Sequence, residues 1–237
     1  LVDADASDAD SLLFRGLSRL KLRHYAAAEA DFEALGKLRS DSPGQQYALA
    51  LALVLQKKYG PAETALKKTL ELNPQAEPAW EQLALLYQHQ GPRSKVVTTL
   101  QDAIKAMPHS DDLSLLLAAA YDQQGDPSAA LKALKQSVSR GAGESVRFQW
   151  AVSLDKAGDF KQSEAVLLAL IADHPKHARA LNYLGYSWAD RHQRLPEAEA
   201  LIRRALVLEP DNYYYLDSLG WALYREAQLP EAERTLA

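Results

Sequence analysis

The chain has 237 residues, no cysteine and a net charge of −4, so disulfide bonds and thiol chemistry are excluded. A pI of 5.9 argues against non-specific nucleic-acid binding and against a polybasic membrane-binding surface, and we expect no nucleic-acid partner. The longest apolar runs, such as 115–121, are far shorter than the ~20 residues that span a bilayer, so we expect no direct membrane insertion.

The first ten residues carry four aspartates and no basic residue. We interpret residues 1–8 as a solvated linker that leads into a helix, because acidic side chains are favoured at helix N-termini. The glycine and the distal glutamate of a calcium-binding loop are missing, which disfavours a calcium site here.

From residue 9 onward, a small residue recurs with gaps of 34, 34, 34, 33, 34 and 35 residues. A period near 34 is typical of repeats that each form a pair of antiparallel helices. We therefore predict about fourteen helices and no strands. The recurring small residues are Gly16, Ala50, Ala84, Ala118, Ala151, Gly185 and Gly220.

Seven repeats fit this period, and we predict one continuous array over 9–237 without an internal domain boundary. Because the last repeat stops within a predicted helix, we interpret the chain as a piece of a longer protein. The repeats lie near 9–42, 43–76, 77–110, 111–143, 144–177, 178–212 and 213–237, of which the last is truncated.

The last two repeats carry the clearest motif, which reads LNYLGYSWAD, LPEAEA and EPDN in the sixth and YLDSLGWALYR and LPEAE in the seventh. This motif resembles the tetratricopeptide repeat (TPR) family. The resemblance implies an all-α solenoid, a right-handed superhelix of about seven helix-turn-helix repeats. It also implies that the first helix of each repeat lines a concave groove.

Two glycines fall in the middle of predicted first helices, where glycine costs about 1 kcal/mol of helix stability relative to alanine. This cost is explained if another helix packs against each point and leaves no room for a side chain. We therefore predict close helix–helix contacts at Gly185 and Gly220.

The resemblance also implies which residues face the groove in the last two repeats. These residues mix aromatic and polar side chains, as protein-binding hot spots do, although the tyrosines could instead pack between helices. Trp188 falls on a packing position, and we assign it to the core. The predicted protein-binding residues are Arg179, Asn182, Tyr183, Tyr186, Tyr214, Asp217, Trp221 and Tyr224.

The equivalent positions in repeats three to five are mostly polar and mildly acidic. They lack the lysines and arginines with which one TPR subclass clamps acidic C-terminal tails, so we do not expect such a ligand. If the last two repeats do not bind a partner, this stretch is the next candidate. The positions are Glu81, Gln82, His89, Asp122, Gln123, Phe148, Gln149 and Asp155.

No motif for a nucleophile, a catalytic metal or a nucleotide occurs in the chain, so we expect no enzymatic activity and no cofactor. His174 and His177 flank a turn at a spacing that would suit a metal, but no third ligand lies beside them in sequence except Asp173. We predict that both histidines are exposed turn residues and that they bind no metal.

The sequence of the last two repeats is similar to that of Gram-negative periplasmic TPR lipoproteins that act as adaptors of carboxyl-terminal processing proteases. This resemblance implies a non-enzymatic scaffold that gathers such a protease and its cell-wall hydrolase substrates. It also implies a periplasmic location with outer-membrane anchoring through a preceding segment. Two alternatives stay open: a substrate-recruiting arm of an enzyme such as a glycosyltransferase, and a cytoplasmic assembly factor.

Overall fold

A computed structural model of the chain describes residues 9–38 and 42–236. Within these ranges every regular element is an α-helix, and there are fourteen helices, so the predicted all-α fold is confirmed. None of these helices is long and apolar enough to cross a bilayer. The predicted linker 1–8 lies outside the described residues.

The chain forms two compact units, one up to Asp126 and one from Pro127. The single continuous array stays a prediction. In both units the odd-numbered helices begin at the first residues of the predicted repeats. The N-terminal unit contains α1 (Ala9–Lys21), α2 (Tyr25–Leu38), α3 (Pro43–Leu55), α4 (Tyr59–Leu72), α5 (Glu77–Gln90), α6 (Arg93–Ala106) and α7 (Asp111–Gln123).

The C-terminal unit is built around one continuous core, to which α9 to α14 all contribute. Each helix packs against helices that are next to it, or next but one, in the sequence. The helices of this unit are α8 (Pro127–Ser139), α9 (Glu144–Lys156), α10 (Phe160–Asp173), α11 (Ala178–Asp190), α12 (Leu195–Leu208), α13 (Tyr213–Arg225) and α14 (Leu229–Leu236).

Polar side chains cap the N-termini of several helices. Ser42 Oγ accepts a hydrogen bond from the backbone N–H of Gln45 at the start of α3, and Ser110 caps α7 in the same way. Asn212 Oδ1 accepts from the N–H of Tyr214 at the start of α13. Such caps satisfy backbone donors that have no partner inside the helix, each stabilising it by about 1 kcal/mol.

Gly185 lies at a close contact between α11 and α12, as predicted. A Cβ atom added at this position would lie 2.7 Å from the carbonyl oxygen of Ala198 and 2.7 Å from Cγ1 of Ile202. Gly16 has the same role in α1, where an added Cβ would lie 2.7 Å from the ring of Phe32. The small residues thus allow each pair of helices to approach closely.

The fifth repeat has serine where most of the other repeats have a small alanine in the second helix. Ser163 is buried, and its hydroxyl donates a hydrogen bond of 2.8 Å to the backbone carbonyl of Ala151 on the neighbouring α9. Because this bond satisfies the hydroxyl, serine is accepted inside the contact.

A residue with positive φ recurs in most turns between the two helices of a repeat. Only two of these residues are glycines, so composition alone does not mark the turns. The left-handed turn residues are Arg23, Lys57, Gly125, Gly158, His192, Arg194 and Ala227.

A buried carboxylate links the first two helices. Asp31 on α2 is 3% exposed and pairs with Arg15 at 2.8 Å and with Arg19 at 2.7 Å, both on α1. Two arginines thus compensate the one buried charge, as a buried carboxylate requires.

Candidate functional site

The eight predicted binding residues lie on the first helices of the last two repeats, four on α11 and four on α13. On each helix they recur every three or four residues, with Asn182 and Tyr183 adjacent on α11, so they form one stripe along that helix. The other side of both helices is buried through residues such as Leu184 and Leu219. The stripes on α11 and α13 are called the α11–α13 face below.

The N-terminal halves of the two stripes line a cavity of about 430 Å³. It is called the Arg179 cavity. Of the predicted residues, Arg179, Asn182, Tyr183 and Tyr214 line it. Phe148, Gln149 and Val152 of α9 complete its wall, together with Glu209, Asn212 and Tyr215.

Arg179 and Tyr183 both pack on the ring of Phe148. The Arg179 guanidinium lies 4.6 Å from the ring centroid, and Tyr183 meets the ring edge-on with centroids 5.8 Å apart. Cation–π and edge-to-face contacts of this kind hold side chains in defined orientations. The cavity therefore presents a positive charge that is already positioned.

Tyr183 also reaches an aspartate on another helix. Its hydroxyl donates a hydrogen bond of 2.9 Å to Oδ2 of Asp155 on α9, and Arg191 binds the other oxygen of that carboxylate. Burial, followed by this bond to Asp155, raises the pKa of Tyr183. Tyr183 is half-buried and therefore anchors the groove wall as well as lining the cavity.

Asn182 contributes an acceptor without a partner. Its Oδ1 atom is buried, and no hydrogen bond within the described residues satisfies it. An unpaired amide oxygen of this kind costs about 1–3 kcal/mol, which a ligand N–H would recover.

The C-terminal halves of the stripes line a second cavity, of about 660 Å³, called the Trp221 cavity. Its lining is largely aromatic and aliphatic, with acidic groups at Asp217 and Glu233. The predicted residues Tyr186, Asp217, Trp221 and Tyr224 line it together with Gly220 of α13 and Leu229, Ala232 and Glu233 of α14.

Trp221 is half-buried. Its depth is therefore intermediate between that of a core residue and that of an exposed groove residue. Its ring stacks on Tyr224 with centroids 5.6 Å apart, and the Arg225 guanidinium lies 5.3 Å from its centroid. Its indole Nε1 is buried without a hydrogen-bond partner in the described residues. By contrast, Trp188 is 4% exposed and lies in the core, as predicted.

Three tyrosines of the α11–α13 face are open to solvent: Tyr214 is 83%, Tyr224 56% and Tyr186 41% exposed. The alternative that the tyrosines only pack between helices is therefore wrong for these three. It holds in part for Tyr183, and a tyrosine outside the predicted set, Tyr215, is buried.

The interpretation of first-helix positions missed cavity residues that come from other elements. Glu209 and Asn212 belong to the connection before α13, and Leu229 and Glu233 belong to α14. These residues lie outside the first helices, so the positions of the first helices alone did not indicate them.

The prediction that both turn histidines are exposed holds for His174 but is wrong for His177. His177 is half-buried, its ring centroid lies 5.4 Å from that of Phe148, and its Nδ1 accepts a 3.1 Å hydrogen bond from the N–H of Ala180. It thus caps the N-terminus of α11. Burial lowers the pKa of His177 below its ordinary value, and the negative charge of Glu144 partly opposes this shift.

We expect His177→Asn to reduce the acid sensitivity of the fold, because asparagine also caps helices but does not titrate. The pKa of His177 is lower in the folded chain than in the unfolded chain, where it is about 6.5. The stabilisation from neutral His177 is therefore complete above about pH 6.5 and is lost as the pH falls toward the pKa of the folded state. Urea melts should therefore show the variant gaining stability relative to the parent between pH 7.5 and pH 5. His174→Asn serves as the exposed control, and an equal gain there would contradict the assignment.

In the N-terminal unit, one group of acidic side chains comes close together. Carboxylate oxygens of Glu77, Glu81 and Asp112 lie within 4.8 Å of one another. Burial, and then the charges of the other two, raises the pKa of Glu81. Of the polar positions predicted in the earlier repeats, Glu81 belongs to this acidic group.

A tetratricopeptide repeat family model matches residues 13–77 and 148–213, and a second tetratricopeptide repeat model matches 97–149. TPR repeat-containing protein PA4667 of Pseudomonas aeruginosa is 48% identical over 82 residues. This match covers 35% of the chain and only 14% of that protein's length.

Several solved structures share the architecture. The C-terminal part of a TPR repeat-containing protein from Cytophaga hutchinsonii has a TM-score of 0.68 at 14% identity, over 90% of this chain and 88% of that one. PilW, a type IV pilus biogenesis factor, has 0.60 at 16% identity, over 81% and 90%. YrrB, a TPR protein with an unusual peptide-binding site, has 0.55 at 21% identity, over 78% and 95%.

At these identities the structural likeness shows the fold, while the family models identify the sequence pattern over more than half of the chain. The repeat period, the paired helices and the close contact at Gly185 agree with both findings. The chain therefore belongs to the tetratricopeptide repeat family.

Proposed function

We propose that this chain is a non-catalytic protein-interaction module that holds a polypeptide segment of a partner along the α11–α13 face. The observation that carries the proposal is the exposure of Tyr186, Tyr214 and Tyr224 on one face that contains two cavities. Tyrosine buries a large area for little loss of side-chain freedom, which is why it is enriched at binding hot spots.

The size of the face suits a short extended segment. Arg179 and Tyr186 lie about 10 Å apart along α11, at 1.5 Å per residue. An extended chain covers that distance in about three or four residues. Such a segment would place side chains in the Arg179 cavity and in the Trp221 cavity, and its backbone N–H would satisfy the free Oδ1 of Asn182.

Two comparisons support this proposal. TPR proteins serve as protein-interaction scaffolds, and YrrB, whose fold the chain shares, is a TPR protein with an unusual peptide-binding site.

The partner that we propose is a carboxyl-terminal processing protease. The chain would then act as a periplasmic adaptor, anchored to the outer membrane through a preceding segment, that brings cell-wall hydrolase substrates to the protease. The support for this finer proposal is the similarity of the last two repeats to Gram-negative adaptor lipoproteins of that kind. It depends on the binding role proposed above.

Neighbouring tyrosines provide a matched test of the binding face. Tyr213 and Tyr214 are both 83% exposed, but of the two only Tyr214 lines the Arg179 cavity. We expect Tyr214→Ala and Tyr186→Ala to weaken binding by at least ~30-fold, the size of a hot-spot loss, while Tyr213→Ala leaves it unchanged. Binding would be titrated by fluorescence anisotropy with peptides selected from a displayed library on the immobilised parent chain.

Thermal melts of the variants would establish that each remains folded. If Tyr213→Ala and Tyr214→Ala have the same effect on affinity, the α11–α13 face is not the binding site. The finer proposal has its own test, which is the titration of the chain with a purified carboxyl-terminal processing protease. Selected peptides that bind while the protease does not would reject the adaptor role and leave the binding role intact.

A further inference from the structure

The N-terminal unit contains a cavity on the first helices of the third and fourth repeats. It is a trough of about 380 Å³ between α5 and α7, with Val96 of α6 in its lining, and is called the α5–α7 trough. Leu85 on α5 and Leu116 on α7 line it and are 44% and 40% exposed. Of the polar positions that the sequence singled out, Glu81 and Gln123 line the trough, but leucine and alanine side chains, which lie at other positions, make up most of the lining.

The two ends of the α5–α7 trough differ in charge. At one end, Glu81 and Asp112 line it, and together with Glu77 they bring three carboxylates within 4.8 Å of one another. No ion pair formed within the described residues engages these carboxylates, and the pKa of Glu81 is raised by burial and by its acidic neighbours. A positive charge placed here would relieve this repulsion.

At the other end, the trough is closed by a hydrogen bond between helices. Gln88 Nε2 on α5 donates to Oε1 of Gln123 on α7 at 3.1 Å, and both residues line the trough. The two side chains are bonded to each other and carry no net charge. The distance along α5 from Glu81 to Gln88 is about 10 Å, so the space takes an extended segment of about three or four residues.

We propose that the α5–α7 trough binds a second polypeptide segment, an apolar stretch that carries a lysine or arginine at the carboxylate end. The exposed leucines supply the apolar surface that marks an interaction site. The carboxylates of Glu81 and Asp112, which no ion pair of the described residues engages, select the charge of the ligand. This site lies in a different unit from the α11–α13 face. It selects a basic segment, whereas the Arg179 cavity presents a positive charge to its ligand.

The test uses the full chain and a synthetic array of heptapeptides. Each peptide has a stretch of leucine, valine, phenylalanine or alanine and one position that is lysine, glutamine or glutamate. We expect the chain to retain the lysine peptides selectively. In anisotropy titrations of a retained peptide, Glu81→Gln with Asp112→Asn should weaken binding at least about tenfold, as expected for the loss of a charge-assisted contact.

Three further variants make the result specific. Leu116→Ser should also weaken binding, since it removes part of the apolar wall. Asp122→Asn changes the same charge on the same helix but does not line the trough, so it should leave affinity unchanged. Tyr214→Ala should leave this peptide's affinity unchanged as well, which separates the α5–α7 trough from the face proposed above.

Several results would overturn the proposal. One is retention of glutamate and lysine peptides alike, and another is an equal loss with Asp122→Asn and with the Glu81/Asp112 pair. Calcium or magnesium binding at the carboxylates without any peptide binding would assign the acidic group to a metal instead. Self-association of the chain that is abolished by Leu116→Ser, measured by sedimentation velocity, would assign the trough to a second copy.

Discussion

Replacing Gly185 with leucine is expected to lower the free energy of unfolding by about 3 kcal/mol, at the upper end of what overpacking costs. An added Cβ would lie 2.7 Å from the carbonyl oxygen of Ala198, which is backbone of α12 and therefore cannot move aside cheaply. The larger side chain must push α11 and α12 apart, exposing part of the core that includes Leu184 and Ile202. Urea unfolding followed by far-ultraviolet circular dichroism would measure the change.

A glycine without neighbours provides the control. Around Gly60 in α4 no heavy atom lies within 4 Å of an added Cβ, so Gly60→Leu should leave stability unchanged or raise it slightly. Gly185→Ala, although it is the smaller change, should already destabilise the fold. An unaltered unfolding midpoint for Gly185→Leu would show that this contact does not hold α11 against α12.

Removal of the buried carboxylate at Asp31 is expected to have an effect of similar size. Asp31→Ala removes the buried carboxylate that Arg15 and Arg19 both bind, and breaking a buried ion pair in this way costs about 3 kcal/mol or more. Thermal and urea melts of the variant would show the loss. The exposed pair of Lys105 and Asp102 is the control, because Asp102→Ala should cost less than about 1 kcal/mol.

A compensated variant separates charge from packing. If Asp31, Arg15 and Arg19 are all replaced by leucine or methionine, much of the lost stability should return, since well-packed apolar residues often match a buried ion pair. A triple variant as unstable as Asp31→Ala would show that the effect comes from packing and not from uncompensated charge.

The helix pairs could be predicted because helix packing repeats with a fixed period. Small residues such as Gly185 and Gly16 are needed wherever two helices approach closely, and their spacing is visible in one sequence. The turns are different. Lys57 and Ala227 adopt the left-handed conformation that glycine adopts at Gly158, because packing of the two helices imposes it. Residue type alone did not reveal these turns.

The site was predicted less completely than the fold. The repeat positions identified the face that carries Tyr186 and Tyr214, but they did not show how deeply Trp221 lies. Depth depends on neighbouring elements, and α14 supplies one wall of the Trp221 cavity. The bond between Tyr183 and Asp155 joins residues 28 positions apart, and no local pattern indicates it.

The contacts between successive helices also bear on how the protein folds. Within each unit, helices pack on neighbours in the sequence, so folding requires only short loops to close, at little entropic cost. Helical domains with such local contacts fold within microseconds to milliseconds. Synthesis at about 5–20 residues per second is far slower. Each helix pair can therefore form as it leaves the ribosome, and the N-terminal unit can fold before the α11–α13 face has been translated.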